Sequence, residues 1–526
     1  MLVVSVDQML AIEREADSRG VNYAEMMERA GRGLADLIQM EFGDEEWRVV
    51  TALVGSGNNG GDALVALEVL AKAGWHAQAY LVRPRPEKDA LLERARAAGV
   101  EIAAAWEDVD FKVLAAWLEG TSVLMDGVLG TGFQLPLRKE IASVLGFAKQ
   151  FSEQLHVVAV DCPSGVDCDS GEAADDVIPA EITVCMQAVK QGLVRFPAFK
   201  LAGELRVVDL DLPDNLDAEV NINLYVADGE TVSRFLPERP DTAHKGTFGS
   251  LVIAAGSVEY TGAALLAAHG AYRIGTGLVR LATLSPLHAA LAGQFPEVTW
   301  LILPNEEGGI AENAADLLLR NLSRVTALLV GPGLGMRETT RAFIARLLSS
   351  IVEAAGGQIN KINLPPMVMD ADGLRLMAGI TNWPELLPVG SILTPHPGEM
   401  SALTGLTVEQ IQSNRLAVAR EYAQKWKSTV ILKGALTVVA SDDGRACIIP
   451  VATSALAKAG SGDVLAGLVA GLVAQGRPAW EAAVAGAWIH AQAGLAAAEN
   501  LGSPASVLAS DVLESIPRVL WALQFE

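Results

Sequence analysis

The sequence predicts an α/β protein of two domains, each built on a parallel sheet between layers of helix. Three observations lead there. Short apolar runs alternate with helical stretches along the whole chain, which is the rhythm of βαβ units. The runs end in glycine turns or isolated polar residues, as the shared carboxyl edge of a doubly wound sheet requires. The chain has 526 residues, 51% of them hydrophobic, which is more than one core usually holds.

In the first half, residues 7 to 40 carry Met9, Ile12 and Ala16, then Met26, Met27 and Ala30, at helical spacing. They predict helix with a core-facing stripe. Val49–Val54 reads as a buried strand running into Gly55-Ser56-Gly57-Asn58-Asn59-Gly60-Gly61-Asp62, with a helix from Ala63 to Ala73. Strand, glycine turn and helix make a phosphate cradle, because backbone N–H groups at a helix start attract anions. A plain turn needs only glycines; two amides and a carboxylate point to chemistry. A strand at Ala77–Val82 and a helix from Glu87 to Ala98 follow. Thr121–Met125 ends at Asp126 and a second glycine loop, Gly127–Phe133. His156–Val160 ends at Asp161-Cys162-Pro163-Ser164, and further strands are expected at Ile182–Met186 and Leu205–Asp209. Three of these strand ends carry Asn58–Asp62, Asp126, and Asp161 with Ser164, and would share one edge. The oxygen ligands Asn59, Asp126 and Ser164 suit a hard cation rather than zinc.

Around Val226 to Lys245 the periodicity breaks at Asp228, Gly229, Pro237 and Pro240. This predicts a linker, with domains at 1–225 and 226–526. The second domain opens with His244-Lys245-Gly246, a strand at Ser250–Ala255, and Tyr260-Thr261-Gly262 before a helix from Ala263. Ala327–Val330 leads to Gly331-Pro332-Gly333-Leu334-Gly335, and Val368-Met369 leads to Asp370-Ala371-Asp372. Ile392-Leu393 leads to Thr394-Pro395-His396-Pro397-Gly398-Glu399, and Val430–Leu432 to Lys433-Gly434. Finally Gly460-Ser461-Gly462 delivers Asp463 to the first turn of an Ala/Gly-rich helix. An acid there, beside phosphates held at the helix start, can accept a proton from a hydroxyl attacking the terminal phosphoryl group. Ala482–Ala498, interrupted by His490 and Gln492, reads as a buried helix rather than a membrane span.

The net charge of −23 argues against a nucleic-acid or anionic-membrane surface as the main partner. Cys162, Cys168, Cys185 and Cys447 form no CxxC pair, so neither zinc nor a disulfide framework is signalled and a reducing compartment fits. The start, MLVVSVDQML, lacks the basic region of a signal peptide. A cytoplasmic protein is expected.

These motifs resemble two families fused in one chain. GSGNNGGD, MDGVLGTGF and DCPSGVD resemble NAD(P)H-hydrate epimerase; HKGTFG, YTGAA, GPGLG, DADGL, TPHPGE, LKGA and AGSGDVLAG resemble ADP-dependent NAD(P)H-hydrate dehydratase, a ribokinase-like family. Ala63 stands where the epimerase motif usually has a further glycine. The resemblance implies a Rossmann-like three-layer sandwich followed by a ribokinase-like one. It implies repair of NADH and NADPH that have added water at C6 of the nicotinamide ring. The first domain would interconvert the R and S hydrates; the second would dehydrate the S form while ADP becomes AMP. It places potassium on Asn59, Asp126 and Ser164. It puts the hydrate against Asn58, Asn59, Gly60, Gly61 and Asp62, and against Gly130, Thr131, Gly132, Phe133, Gln134, Leu135 and Pro136, with Asp161 as acid/base. In the second domain Ala263, Gly333 and His396 would hold the hydrate. Lys433, Gly434, Ala435, Leu436, Thr437 and Gly462 would hold ADP, Asp463 would take the hydroxyl proton, and magnesium would accompany the phosphates. Ribokinase-like folds often associate, which implies a homo-oligomer. Two alternatives stay open: a kinase of the ribokinase superfamily acting on a vitamin precursor or small alcohol, and a non-catalytic nucleotide- or RNA-binding scaffold. The attached epimerase-like half speaks against the first, and the intact set Asp62, Asp126, Asp161 and Asp463 against the second.

Overall fold

The computed structural model describes residues 1–44, 47–353, 359–361 and 363–525. The chain divides into two compact units, Met1–Leu224 and Tyr225–Glu526.

In the first unit, seven parallel strands form one sheet. Their order is Glu101–Ala104, His76–Leu81, Val49–Val54, Val123–Gly127, His156–Val160, Ile182–Met186, Glu204–Val208. Alternation along a strand sends successive side chains to opposite faces. Val50, Ala52 and Val54 pack with Leu34, Ile38, Leu64 and Leu67. Leu53 faces the other way, with Leu114, Leu118, Ile141 and Leu145. Helices therefore cover both faces. The strand order reverses between Val49–Val54 and Val123–Gly127, and an open α/β sheet takes its ligand in the crevice beyond such a pair.

The second unit has a ten-stranded sheet. From Thr299–Leu303 through Leu278–Leu284, Ser250–Ala254, Ala327–Val330, Met367–Met369 and Ile392–Leu393 to Thr429–Leu432 the strands run parallel. Val438–Ala440 and Ala446–Ile448 then add antiparallel strands, and Leu224–Val226 lies at the edge. Leu251 and Ile253 pack against the small-residue helices Thr261–Arg273, Ser461–Ala474 and Ala479–Leu501. No helix among the described residues is long and apolar enough to cross a membrane.

The structure corrects the sequence reading where caps were overlooked. The helix expected over residues 7 to 40 is two, Val6–Ser18 and Tyr23–Phe42; Gly20 turns the chain at φ 104° and Asn22 caps the second by accepting from Glu25 N at 3.0 Å. The helix expected from Ala63 starts at Asn58, so Asn58–Asp62 is its first turn rather than a loop. The helix expected from Glu87 starts at Ala90, because the Asp89 carboxylate caps Leu91 N and Leu92 N. The supposed linker contains strand Leu224–Val226 and helix Gly229–Phe235; Asp228 there is an N-cap, accepting from Thr231 N at 2.7 Å.

Helix Ser461–Ala474 lies almost backbone to backbone on Thr261–Arg273. A methyl group on Gly467 would sit 2.1 Å from the Ala267 carbonyl oxygen, and one on Gly270 2.7 Å from that of Val464. Gly467→Val should therefore destabilise the second unit by about 1–3 kcal/mol through overpacking, read as a lower thermal midpoint by circular dichroism. An unchanged midpoint would mean that the two helices can part without loss.

Candidate active sites

In the first unit the glycine turn after Val49–Val54 and the loop after Val123–Gly127 flank a cavity of about 570 Å³. Asn58, Asn59, Gly130, Thr131, Gly132, Phe133, Gln134 and Pro136 line it, with Arg83 and Arg138 supplying positive charge. Leu135 is not among the lining residues. Gly60 and Gly61 lie deeper, where backbone must approach closely. A side chain on Gly60 would meet the Gly55 carbonyl at 2.1 Å, and one on Gly61 would meet Met27 Sδ at 2.6 Å.

The three oxygen-bearing residues converge. Asp126 is fully buried; its carboxylate accepts from Ser164 N at 2.7 Å and Val128 N at 3.4 Å. Ser164 Oγ accepts from Leu129 N at 2.8 Å, and Asn59 Nδ2 donates to Leu129 O at 3.0 Å and Val160 O at 2.6 Å. Burial pushes the Asp126 carboxyl up, against the hydrogen bonds of Ser164 and Val128.

Asp161 ends its strand at φ 64°, a conformation seldom taken by residues with a side chain. Its carboxylate accepts from Met186 N at 2.9 Å and from Lys190 Nζ. Lys190 is buried and its ammonium also donates to Met186 O and Ala188 O. Burial pulls that ammonium down, but the charge and hydrogen bond of Asp161 outweigh it and the net shift is upward. Asp62 is held well above the ordinary carboxylate range, first by burial and then by the charge of Asp161. Burial likewise raises Glu13, on the first helix, which feels both Lys190 and Asp161. Lys190 and Glu13 went unnoticed in the sequence. A lysine inside the apolar stretch VCMQAVKQGLV was the available signal for one; nothing local marked the other.

In the second unit the carboxyl edge gathers Asp370, Asp372, Glu399, Lys433 and Asp463. Lys433 Nζ donates to Asp370 Oδ1 at 2.7 Å and lies 3.7 Å from Glu399 Oε2; Thr394 Oγ1 donates to the same Asp370 oxygen at 2.6 Å. Gly335 N donates to Asp372 Oδ2 at 2.9 Å, which ties the glycine-proline loop to this edge. A side chain on Gly333 would meet Ala263 Cβ and Tyr260 Cβ at 2.8 Å, so Ala263 and Gly333 are neighbours. His396 is the N-cap of helix Pro397–Thr404. Its Nδ1 accepts from Gly398 N at 2.9 Å, and its Nε2 lies 3.2 Å from Glu399 Oε1. Gly434 to Thr437 form a tight loop, Thr437 Oγ1 donating to Gly434 O at 2.8 Å.

Asp463 is the third residue of helix Ser461–Ala474, whose start no side chain caps. Ser461 N donates to Lys458 O at 3.4 Å, and the N–H groups of Gly462 and Asp463 at this start suit an anion. Gly462 faces Lys433; a side chain there would lie 3.4 Å from Nζ. Burial, then the charges of Asp370 and of Asp372 and Glu399, raise the Asp463 carboxyl to about 7, with Lys433 opposing. Ser461 Oγ donates to Leu456 O and Lys458 O, and burial lowers the nearby His490 imidazole to about 4. A neutral imidazole therefore sits in this core, its Nε2 buried without a hydrogen-bond partner among the described residues, which the sequence did not reveal. Among the described residues no three His, Cys, Asp or Glu side chains converge to hold a metal ion. A cavity of about 780 Å³ in this unit lies elsewhere, lined by Trp488, Leu495 and Leu523.

Residues 251–518 match the family described as NAD(P)H-hydrate dehydratase, and residues 23–192 the family described as YjeF-related protein N-terminus. A protein of Moorella thermoacetica named bifunctional NAD(P)H-hydrate repair enzyme is 34% identical over 100% of this chain and 98% of its own length. This chain belongs to the family of bifunctional NAD(P)H-hydrate repair enzymes. The Escherichia coli protein of that name is 32% identical over 97% of this chain and 92% of its own. A crystal structure of the ADP/ATP-dependent NAD(P)H-hydrate dehydratase from Bacillus subtilis, with ATP/Mg2+, aligns at 29% identity and a TM-score of 0.48, over 57% of this chain and 99% of that one.

Lys190→Met would strand the buried Asp161 carboxylate. Removing one partner of a buried pair costs about 3–5 kcal/mol, and urea denaturation of the first unit should show that loss. A loss below about 1 kcal/mol, the range of a surface pair, would mean that Asp161 has another cation.

Proposed function

We propose that the chain repairs hydrated nicotinamide cofactors, with the R and S hydrates interconverted in the first unit and the S hydrate dehydrated in the second. The observation that carries this reading is the doubled arrangement: two sheets, each with a buried aspartate–lysine pair and a further carboxyl group raised toward neutrality.

In the first unit the hydrate lies along Asn58, Asn59 and Gly130–Pro136, with its ring toward Asp161. Asp62, held neutral beside Asp161, supplies the proton that reaches the C6 hydroxyl by way of Asp161, and the hydroxyl leaves as water while the ring nitrogen forms an iminium. Water returns to the other face, and Asp161 takes its proton. Lys190 holds the carboxylate in place throughout. The buried Asp126 carboxylate, with Asn59, Ser164 and the carbonyls of Leu129 and Val160 around it, is an oxygen-only set that fits potassium. When bound, the ion supplies positive charge that fixes the two glycine loops.

In the second unit hydroxide is too poor a leaving group to depart unaided. Asp463 accepts the proton of the C6 hydroxyl as its oxygen attacks the terminal phosphorus of ADP, giving a phosphate ester and AMP. The ring nitrogen then expels phosphate, C5 loses a proton, and the reduced cofactor is restored. N–H groups at the Gly460–Asp463 turn face the developing phosphoryl charge. Lys433 to Thr437 and Gly462 hold the nucleotide, and Ala263, Gly333 and His396 the hydrate. Magnesium would arrive with the phosphates, since the protein offers only scattered carboxylates.

Incubation with purified hydrate and ADP, followed by ring absorbance and nucleotide analysis, should show recovered cofactor and AMP. A stable phosphorylated product would mean a kinase instead. Asp463→Asn should abolish dehydration. In the wild type, activity should rise with pH through about 7, because only the ionised Asp463 accepts a proton and its folded value lies there. Asp161→Ala should block R-to-S exchange and leave dehydration of S intact; loss of both would contradict independent sites. Potassium in place of sodium should raise the thermal midpoint of the wild type but not of Asp126→Asn, and equal midpoints in both salts would remove the ion from the first site.

A further inference from the structure

Lys433 is the cation that the nucleotide loop offers in sequence, yet its ammonium is already engaged by Asp370 and Glu399. The anionic group of a nucleotide at Lys433–Thr437 needs positive charge from elsewhere. Arg415, the first residue of helix Arg415–Trp426, reaches that loop from the side. Its Nη2 donates to Leu432 O at 2.9 Å and its Nη1 to Gln412 Oε1 at 2.7 Å, so both partners are uncharged. Its Nε is buried without a hydrogen-bond partner, and no ion pair with a carboxylate forms among the described residues. The guanidinium lies directly over Gly434: a side chain there would meet both Nη1 and Nη2 at 2.9 Å. Gly434 has φ 151°, where a side chain is strained in any case. The loop thus keeps its backbone bare under an arginine fork.

We infer that Arg415 is a nucleotide-binding residue of the second unit, its guanidinium taking a phosphate of the bound adenine nucleotide above Gly434. A partly buried guanidinium without a carboxylate is unfavourable in the empty site, and burial alone lowers it to about 10. A phosphate removes that penalty and matches the planar fork, which an ammonium cannot do. The inference rests on the reading of Lys433–Thr437 as the nucleotide loop.

The test is calorimetric titration of the full chain, without hydrate, with ADP and magnesium, and with adenosine. Arg415→Gln should weaken ADP on the order of tenfold or more, the size of a lost hydrogen bond to a charged group, and leave adenosine within about twofold. Arg415→Lys should fall between the two, keeping charge without the fork. If circular dichroism shows Arg415→Gln unfolded, the lysine variant carries the test, with a loss of several-fold expected for ADP alone. ADP affinity unchanged within about twofold in a folded variant would overturn the inference. So would an equal loss for adenosine, which would assign Arg415 to bracing the loop through Leu432 and Gln412. A wild-type chain that binds no adenine nucleotide would sink the nucleotide-loop reading itself, and this inference with it; ADP binding in the wild type separates the two failures.

Discussion

Each sheet buries an aspartate at a strand end and neutralises it with a lysine from a neighbouring segment: Asp161 with Lys190, and Asp370 with Lys433. Taking either charge out of water alone would cost several kcal/mol, so each pair is obligatory once the edge is closed. The consequence falls on the next carboxyl group. Asp62 and Asp463 are also largely buried, but each pair's lysine is already spent on its own aspartate. Both are therefore pushed upward. Each edge holds one aspartate paired with a lysine and one carboxyl group raised toward neutrality.

Close backbone packing gives the same edges their shape. Gly60 and Gly61 let the helix at Asn58 start against the first sheet, and Gly467 with Gly270 lets the helix that bears Asp463 sit on its neighbour. Rigid support of this kind keeps an N–H-lined helix start aimed at a ligand without a capping side chain. Ser461 completes it from behind, and the low value of the buried His490 imidazole keeps a second positive charge out of the core.

Most of the fold was legible in sequence. The strands His156–Val160, Ile182–Met186 and Ala327–Val330 are parallel, interior and apolar, so their bounds follow from composition. Helix starts were less legible, because Asn22, Asp89 and Asp228 look like loop residues until their side chains are seen to cap N–H groups. Asn58–Asp62 misled for the related reason that glycines inside a helix signal a turn unless something packs against them.

The order and chemistry of the motifs, from GSGNNGGD to AGSGDVLAG, determined by themselves that this is a two-unit α/β chain with an acid at each carboxyl edge. Local residues suffice for that, since strand, turn and helix start are neighbours in the chain. Which charges meet was decided only by tertiary structure. Lys190 reaches Asp161 across 29 positions, Lys433 reaches Asp370 across 63, and Arg415 comes over the Gly434 loop from helix Arg415–Trp426. Ion pairing and desolvation depend on distance in space, and the spacing of residues along the chain does not carry it.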